Sequence, residues 1–297
     1  MTPEELKNIL VKVRNYEIRI RKAVNARIRG SFDSIFKGTG LEFDDLRTYQ
    51  YGDDVRRIDW NASAKGEDTY IKVFKEEKEQ TIFFLLDVSE SQKIGQAQSQ
   101  KLDIAKEICS VLALSAVNEG SEAGLLCYSD QKEKYIKPDR GMKKAYEIML
   151  SLFKLEPVSR KTNLNEFIRF ALELIKRRSI VFLISDFIDE NYHDSLKALA
   201  KKHDLIVVHL MDEQEATLPK LGIVPLLDKE SQAMHWVNLS SRKFRRKLLE
   251  RFTQNQSKLE EVCKKYRADY LPIMTHQDFV PKLVKLFKVR NKVVRST

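Results

Sequence analysis

Two short, mostly apolar runs, Thr81 to Leu86 and Ser179 to Ser185, each lead straight into an aspartate, Asp87 and Asp186. Runs of this length without a polar face read as strands buried on both sides, and such strands belong to parallel sheets with helices on both faces. The segments around them alternate accordingly. A helix is expected over Lys101 to Asn118, where Leu102, Ala105, Ile108, Cys109 and Leu112 recur at helical spacing, and a strand over Ala123 to Tyr128. A short strand at Lys134 to Lys137, helices at Met142 to Phe153 and Leu164 to Arg177, the strand Ile180 to Ser185, a helix near Tyr192 to Lys202 and a strand at Leu205 to Met211 continue the pattern. Beyond them come an apolar pair, Ile223 to Leu227 and Met234 to Leu239, that fits a hairpin, then a long helix Arg242 to Arg267, a strand Tyr270 to Met274 and a closing helix from Asp278. The expected fold class is α/β, a doubly wound, mostly parallel sheet flanked by helices, occupying residues 80–297.

In such a sheet the carboxyl ends of the strands lie along one edge, and ligands bind in the crevice there. Asp87-Val-Ser89-Glu-Ser91 places a carboxylate and two hydroxyls at the end of one strand, and Asp186 ends another. Thr162 sits on the loop before the helix that starts at Leu164. An all-oxygen set with one or two carboxylates suits a small hard cation such as Mg²⁺. The plainer reading is that the aspartates and Thr162 cap helices and the serines form turns.

The arrangement Asp-x-Ser-x-Ser, a loop threonine and a strand-terminal aspartate resembles the metal-ion-dependent adhesion site of von Willebrand factor type A domains. The resemblance implies that Asp87, Ser89, Ser91, Thr162 and Asp186 hold Mg²⁺, Mn²⁺ or Ca²⁺, directly or through water, and that an acidic side chain of a partner protein completes the shell.

Residues 1–79 form a different region, a helical and irregular extension. Leu6, Ile9, Leu10 and Val13 follow helical spacing, and a basic, apolar-periodic pattern runs to about Ile28. Between Gly38 and Lys65, the stretch that includes Glu42, Phe43, Arg47, Tyr49, Asp53, Asp54, Arg56, Arg57, Ile58, Asp59 and Trp60 resembles, almost continuously, the signature of the bacterial family known as domain of unknown function fifty-eight. In that family the signature lies just upstream of a von Willebrand type A domain, and Ile184-Ser185-Asp186-Phe187 is similar to its second metal-loop strand. Two places depart from the family pattern. Gln92 stands where a methionine is common, and Arg160-Lys161 where two glycines are.

The resemblance further implies a MoxR-type AAA+ ATPase as partner, in protein assembly or maturation. The alternation of Glu42, Asp53, Asp54 and Asp59 with Arg47, Arg56 and Arg57 suggests bidentate ion pairs holding an irregular loop around Phe43, Tyr49, Ile58 and Trp60. The rival, an acidic catalytic or second metal cluster, has no histidine beside it and lacks the spacing of an EF-hand. Gly38-Thr-Gly40 lacks the third glycine and preceding strand of a dinucleotide fingerprint.

Composition narrows the rest. At 297 residues, 42% hydrophobic and 32% charged, the chain can bury a large core, no stretch has the length of an apolar membrane span, and the amino terminus Met1-Thr-Pro-Glu-Glu-Leu-Lys lacks the apolar core of a signal peptide. A cytoplasmic protein is expected, with Cys109, Cys127 and Cys263 reduced and buried. The net charge of +10 concentrates in Lys7 to Arg29, Arg242 to Lys247 and Lys282 to Arg295, which leaves open a peripheral role at the inner membrane face or on nucleic acid. Solvated helix faces explain the same charge, since no nucleic-acid module accompanies it. Among enzymes, a Mg²⁺-dependent phosphatase or hydrolase using Asp87 as nucleophile is the alternative. It wants a second aspartate two residues on, where this chain has Ser89. The scattered histidines, and the lack of a nucleophile elbow or P-loop, leave no catalytic set. A metal-dependent protein-interaction module is therefore the expected function.

Overall fold

The computed structural model describes residues 3–25, 41–64, 66, 68–76, 80–96, 99–189, 191–216, 222–227 and 234–296. In chain order the elements are α1 (Pro3–Asn25), β1 (Leu41–Thr48), α2 (Trp60–Ser63), β2 (Tyr70–Glu76), β3 (Thr81–Asp87), the two-residue strands β4 (Gly95–Gln96) and β5 (Ser99–Gln100), and α3 (Lys101–Asn118). Then follow β6 (Glu122–Tyr128), β7 (Lys132–Asp139), α4 (Met142–Lys154), α5 (Leu164–Leu174), β8 (Ile180–Ser185), α6 (His193–Lys202) and β9 (Asp204–Met211). The chain continues through α7 (Glu213–Ala216), β10 (Ile223–Leu227), β11 (Met234–Asn238), α8 (Arg242–Lys265), β12 (Asp269–Met274) and α9 (Val280–Ser296). Two compact units result, one of Met1–Phe36 with Thr81–Thr297, the other of Lys37–Gln80.

The larger unit is built on a six-stranded sheet ordered β12-β9-β8-β3-β6-β7. Every neighbouring pair is parallel except β6 with β7. Sequence order thus runs outward from β3 in one direction and, from β8, outward in the other, which is the doubly wound arrangement expected from the apolar runs.

β3 shows why its sequence has no polar face. Ile82, Phe84 and Leu86 point into a core shared with α3, α4 and α9, while Phe83 and Leu85 point into a second core with α5, α6 and α8. With both faces covered, each large side chain contributes about 1.5–3 kcal/mol by leaving water. Gly124 on β6 is fixed by close approach, because a Cβ there would lie 2.8 Å from Pro138 Cγ and 3.0 Å from Phe83 Cε1.

The boundary between regions differs from the sequence expectation of 1–79 and 80–297. Helix α1 packs with the sheet unit: Val13 joins the core beside α3, Lys12 Nζ meets Glu107 Oε1 at 2.5 Å, and Asn118 Nδ2 donates to Glu17 Oε1 at 2.9 Å. The part of the basic, apolar-periodic pattern beyond Asn25, and Gly38-Thr-Gly40, lie outside the described residues.

Part of the basic C-terminal segment is also used within the fold. Lys282 Nζ donates to the Pro272 carbonyl at 2.8 Å, and the Arg290 guanidinium binds both Asp204 and Asp269. All three cysteines are buried and unpaired, as expected. Among the described residues no helix is long and apolar enough to cross a membrane.

The smaller unit was expected to be irregular, and β1 and β2 instead pair as an antiparallel ribbon with a bulge between Phe43 and Asp45, joined by the irregular stretch that carries Asp53, Asp54, Arg56 and Asp59. Ile71 is its buried apolar side chain among the described residues, at 4% exposure. The charged residues that broke the apolar pattern of β1 masked the strand, since they alternate along a ribbon with little core to bury.

Candidate functional site

β3 and β8 are adjacent at the centre of the sheet, and the chain winds away from them on opposite sides. Their carboxyl ends therefore flank the topological switch point. Asp87 ends β3, Asp186 directly follows β8, and both are buried, at 1% and 2% exposure.

Asp87 is held on both oxygens. Its Oδ1 accepts the Ser89 backbone N–H at 3.0 Å, and its Oδ2 accepts Gln92 Nε2 at 3.1 Å and the Ser185 hydroxyl at 2.7 Å. Burial, and next the neighbouring charge of Asp186, push the Asp87 carboxyl up to about 6 against the pull of these hydrogen bonds. Ser185 also accepts the Phe187 N–H at 3.1 Å, and Phe187 takes a left-handed backbone at φ 54. That conformation costs a non-glycine residue about 1–2 kcal/mol, so the turn leaving β8 is held in place by its surroundings.

Ser89 stands at the N-cap position of the short 3-10 turn Glu90–Lys93 without a side-chain capping bond, and its hydroxyl oxygen lies 3.1 Å from that of Ser91. The Ser91 hydroxyl in turn bonds the Asp186 carboxylate, so the two strand-end loops meet. The loop carrying Thr162 is tied to the same edge by its flanks. Glu90 N–H donates to the Arg160 carbonyl at 3.0 Å, Asn163 N–H to the Ser129 carbonyl at 3.3 Å, and Leu164 N–H to Asp189 Oδ2 at 2.7 Å. Thr162 itself is half-buried, and Asn163, rather than Thr162, caps α5. The sequence-predicted residues Asp87, Ser89, Ser91 and Asp186 thus converge, and the Thr162 loop is fastened beside them.

A residue outside the expected set completes the cluster. The Lys101 ammonium, fully buried at the first position of α3, donates to Asp186 Oδ2 at 2.6 Å and to Glu215 Oε1 on α7. Burial raises the Asp186 carboxyl, but the charge and hydrogen bond of Lys101 outweigh it, and the group ends below the usual carboxylate range. Burial likewise opposes the charge on Lys101, and Asp186 and Glu215 reverse the effect, leaving its ammonium above the ordinary lysine value. Gln92, the departure from the family pattern, is fully buried, and its Oε1 has no hydrogen-bond partner among the described residues.

The donor chemistry fits a hard cation. Adjacent ligands of an octahedral Mg²⁺ at about 2.0–2.1 Å lie about 3.0 Å apart, close to the separation of the Ser89 and Ser91 oxygens. The orphaned Gln92 oxygen adds an unused lone pair nearby. Among the described residues no group of three or more His, Cys, Asp or Glu side chains could hold a metal ion, so a cation here leans on hydroxyls. Lys161, on the same loop as Thr162, is exposed.

Sequence reasoning missed Lys101 and Glu215, and it named Gln92 and Ser185 without giving either a role at the site. Lys101 carried at most a weak signal, which its burial makes readable only afterwards. A cation at a helix N-terminus opposes the helix dipole, and this one opens a helix that is otherwise almost wholly buried. Only a local anionic partner makes that position tolerable.

Within the smaller unit, two of the expected ion pairs form. Arg47 grips Asp53 through both terminal guanidinium nitrogens at 2.8 and 2.6 Å, and Arg56 grips Asp54 through Nε and Nη2, each at 3.0 Å. The arginine's hydrogen bond, followed by the Gln50 N–H, holds the Asp53 carboxyl below its ordinary value, and Arg56 does the same for Asp54. Among the described residues Asp59 meets no arginine. It caps α2 by accepting the Asn61 and Ala62 N–H groups, with Lys72 at 3.4 Å. Trp60, expected as an apolar anchor, is 69% exposed, with Val55 at 60% and Tyr51 fully exposed. A four-residue helix on a two-stranded ribbon offers too little surface to bury an indole. The side chains of Glu42 and Phe43 lie outside the described residues.

Comparison with known proteins places these features. An uncharacterized protein of Mycobacterium bovis is 24% identical over 222 residues, 74% of this chain and 70% of the relative, and one of Mycobacterium tuberculosis matches equally. Solved structures with a similar course include an aerotolerance-related membrane protein from Bacteroides fragilis (15% identity, TM-score 0.47, 72% of this chain and 99% of that one). The conserved hypothetical protein BatB from Bacteroides thetaiotaomicron aligns at 14% identity and TM-score 0.43, over 72% of this chain and 99% of its own. The SpRpn10 VWA domain aligns at 12% identity and TM-score 0.38, over 69% and 93%. The fold assignment itself rests on the chain's own sheet order. Residues 45–258 match the family described as protein of unknown function DUF58, and the chain belongs to that family.

Proposed function

We propose that this chain is a protein-interaction module whose contact point is the carboxyl edge of the sheet between β3 and β8. The observation that carries this reading is the convergence of Asp87, Ser89, Ser91 and Asp186 at the switch point, with the two serine hydroxyls 3.1 Å apart. In this reading the hydroxyls of Ser89, Ser91 and Thr162 hold Mg²⁺, or Mn²⁺ or Ca²⁺ in its place, with Asp87 and Asp186 supplying negative charge. When bound, such a cation supplies a positive coordination position that a partner's carboxylate can fill. The remaining work belongs to the chain's own groups. Ser185, Gln92 and the Ser89 N–H fix the Asp87 carboxylate, and the Glu90–Arg160 backbone bond keeps the Thr162 loop against the serine turn. The family resemblance extends the proposal to a MoxR-type AAA+ ATPase as the partner, in the cytoplasm or at the inner membrane face.

The test is binding of a purified MoxR-type ATPase to the wild-type chain and to Ser89→Ala/Ser91→Ala, in millimolar Mg²⁺ and in chelator. Binding that needs both Mg²⁺ and the serines supports the full reading. Binding that ignores chelator removes the metal and leaves the interaction module, and no binding under either condition removes the ATPase. A hydrolase reading is less favoured, because both oxygens of Asp87 are engaged in fixed hydrogen bonds. Turnover of a generic phosphoester that disappears in Asp87→Asn would reinstate it.

A further inference from the structure

We propose that Lys101 sets the cation affinity of this site: its ammonium is a resident cation that takes from Asp186 the negative charge a dication would otherwise use. The inference rests on the metal reading above and adds to it why the isolated chain should bind metal weakly.

Three observations carry it. Lys101 has no exposed surface, and its ammonium lies 2.6 Å from Asp186 Oδ2, one of the two carboxylates of the candidate site. The same ammonium reaches Glu215, whose other oxygen accepts the Asp212 N–H at 3.1 Å. Asp212 in turn accepts the Gln214 N–H at 2.8 Å and the Thr275 hydroxyl. One buried cation therefore fastens α3, the exit of β8 and α7, and the fastening runs on to the residue after β12.

Apolar side chains of similar volume commonly substitute for a buried ion pair without loss of stability, so packing alone does not call for a lysine at this position. Its adverse place at a helix N-terminus makes the same point. What a lysine does that a methionine cannot is put positive charge on Asp186. A dication entering beside Ser91 then meets one partly neutralised carboxylate and a repelling ammonium close by, and both effects lower its affinity in a poorly solvated site. A partner's carboxylate restores the missing negative charge, which couples metal and partner into one binding event.

The experiment is a Mg²⁺ and Mn²⁺ titration of the metal-stripped full-length protein, read by calorimetry and by thermal unfolding. The variants are wild type, Lys101→Arg, Lys101→Met, the double variant Lys101→Met/Glu215→Gln and Asp87→Ala. The double variant removes the carboxylate that loss of Lys101 would leave unpaired, so affinity can be read even if Lys101→Met folds poorly. The expected result is weak binding in wild type and Lys101→Arg, binding about tenfold or more tighter in the variants lacking the ammonium, and none in Asp87→Ala. Equal affinity with and without the ammonium, with loss in Asp87→Ala, overturns the role of Lys101 and leaves the metal reading standing. No binding in any variant up to tens of millimolar removes the metal reading and this inference together.

Discussion

The two units place the same chemistry, carboxylates gripped by cations, in opposite surroundings. In the smaller unit Arg47–Asp53 and Arg56–Asp54 are bidentate and lie at the surface, with the arginine side chains 45% and 87% exposed. In the larger unit Lys101 and Asp186 are 0% and 2% exposed, and their pairing has no water to replace it. Exposed pairs trade one set of strong hydrogen bonds for another with solvent, so they shape a surface more than they stabilise a fold. A buried pair is different, since each partner makes the burial of the other tolerable. Geometry alone does not separate the two classes, because the exposed pairs have the better hydrogen-bond count. Burial does, and it sorts the expected consequences of mutation.

The largest effect is expected at Lys101. Lys101→Met leaves Asp186 and Glu215 buried without their shared cation, and breaking a buried pair from one side costs about 3–5 kcal/mol. Chemical denaturation checks it, with Lys101→Met/Glu215→Gln recovering part of the loss. A loss below about 1 kcal/mol would mean that water reaches the cluster, and the contrast between the units would collapse.

A smaller effect comes from a buried group with no hydrogen-bond partner among the described residues. His203 caps the end of α6 at 2% exposure, and neither ring nitrogen has a hydrogen-bond partner. Burial, and then the charges of Lys202 and Arg178, lower it from 6.5 to about 4. Between those values the unfolded chain carries a proton on this ring and the folded chain does not. Stability from this group is therefore complete above about pH 6.5 and drains away as pH falls towards 4. The loss should be roughly 1–2 kcal/mol. His203→Leu should flatten that acid limb when unfolding free energy is followed from pH 7 to 4. Asp87, raised to about 6, works in the opposite sense over the same range but is common to both proteins, so the difference between them isolates the histidine. Parallel curves would show that the ring is solvated in the folded protein.

The same distinction explains what could be read from sequence. Strands β3 and β8 were legible because burial on both faces leaves no room for polar residues, and the aspartates were legible because they interrupt those runs at the carboxyl edge. The doubly wound, mostly parallel class followed from the alternation of strands and helices, whereas the strand order itself came from the structure. Lys101 was not legible as a site residue, because a lysine at a helix start usually reaches solvent, and only the tertiary position of Asp186 and Glu215 turns it inward. Strand β1 was hidden for the converse reason. Its Asp45 and Arg47 are ordinary surface residues of a ribbon, and a ribbon with one well-buried side chain, Ile71, writes little hydrophobic pattern into its sequence. The anchor role expected of Trp60 failed on the same count.

The smallest expected change in stability, and the sharpest use of the comparison, lies in that ribbon. Arg47→Ala removes two hydrogen bonds to Asp53, whose Oδ2 keeps the Gln50 N–H at 2.9 Å, so the turn retains its backbone closure. Trp60→Ala removes a side chain already 69% exposed. Neither should move the unfolding midpoint measurably. If the smaller unit is an interaction element, both should nonetheless weaken binding to the protein partner, since exposed aromatics and arginines are the residues that carry interface energy. Lys101→Met shifts stability and cation affinity together, whereas these two should shift partner affinity alone. A midpoint lowered by several degrees in Trp60→Ala would show that the indole is covered in the working protein. The ribbon would then belong to the buried class, and its role would be to hold the fold together.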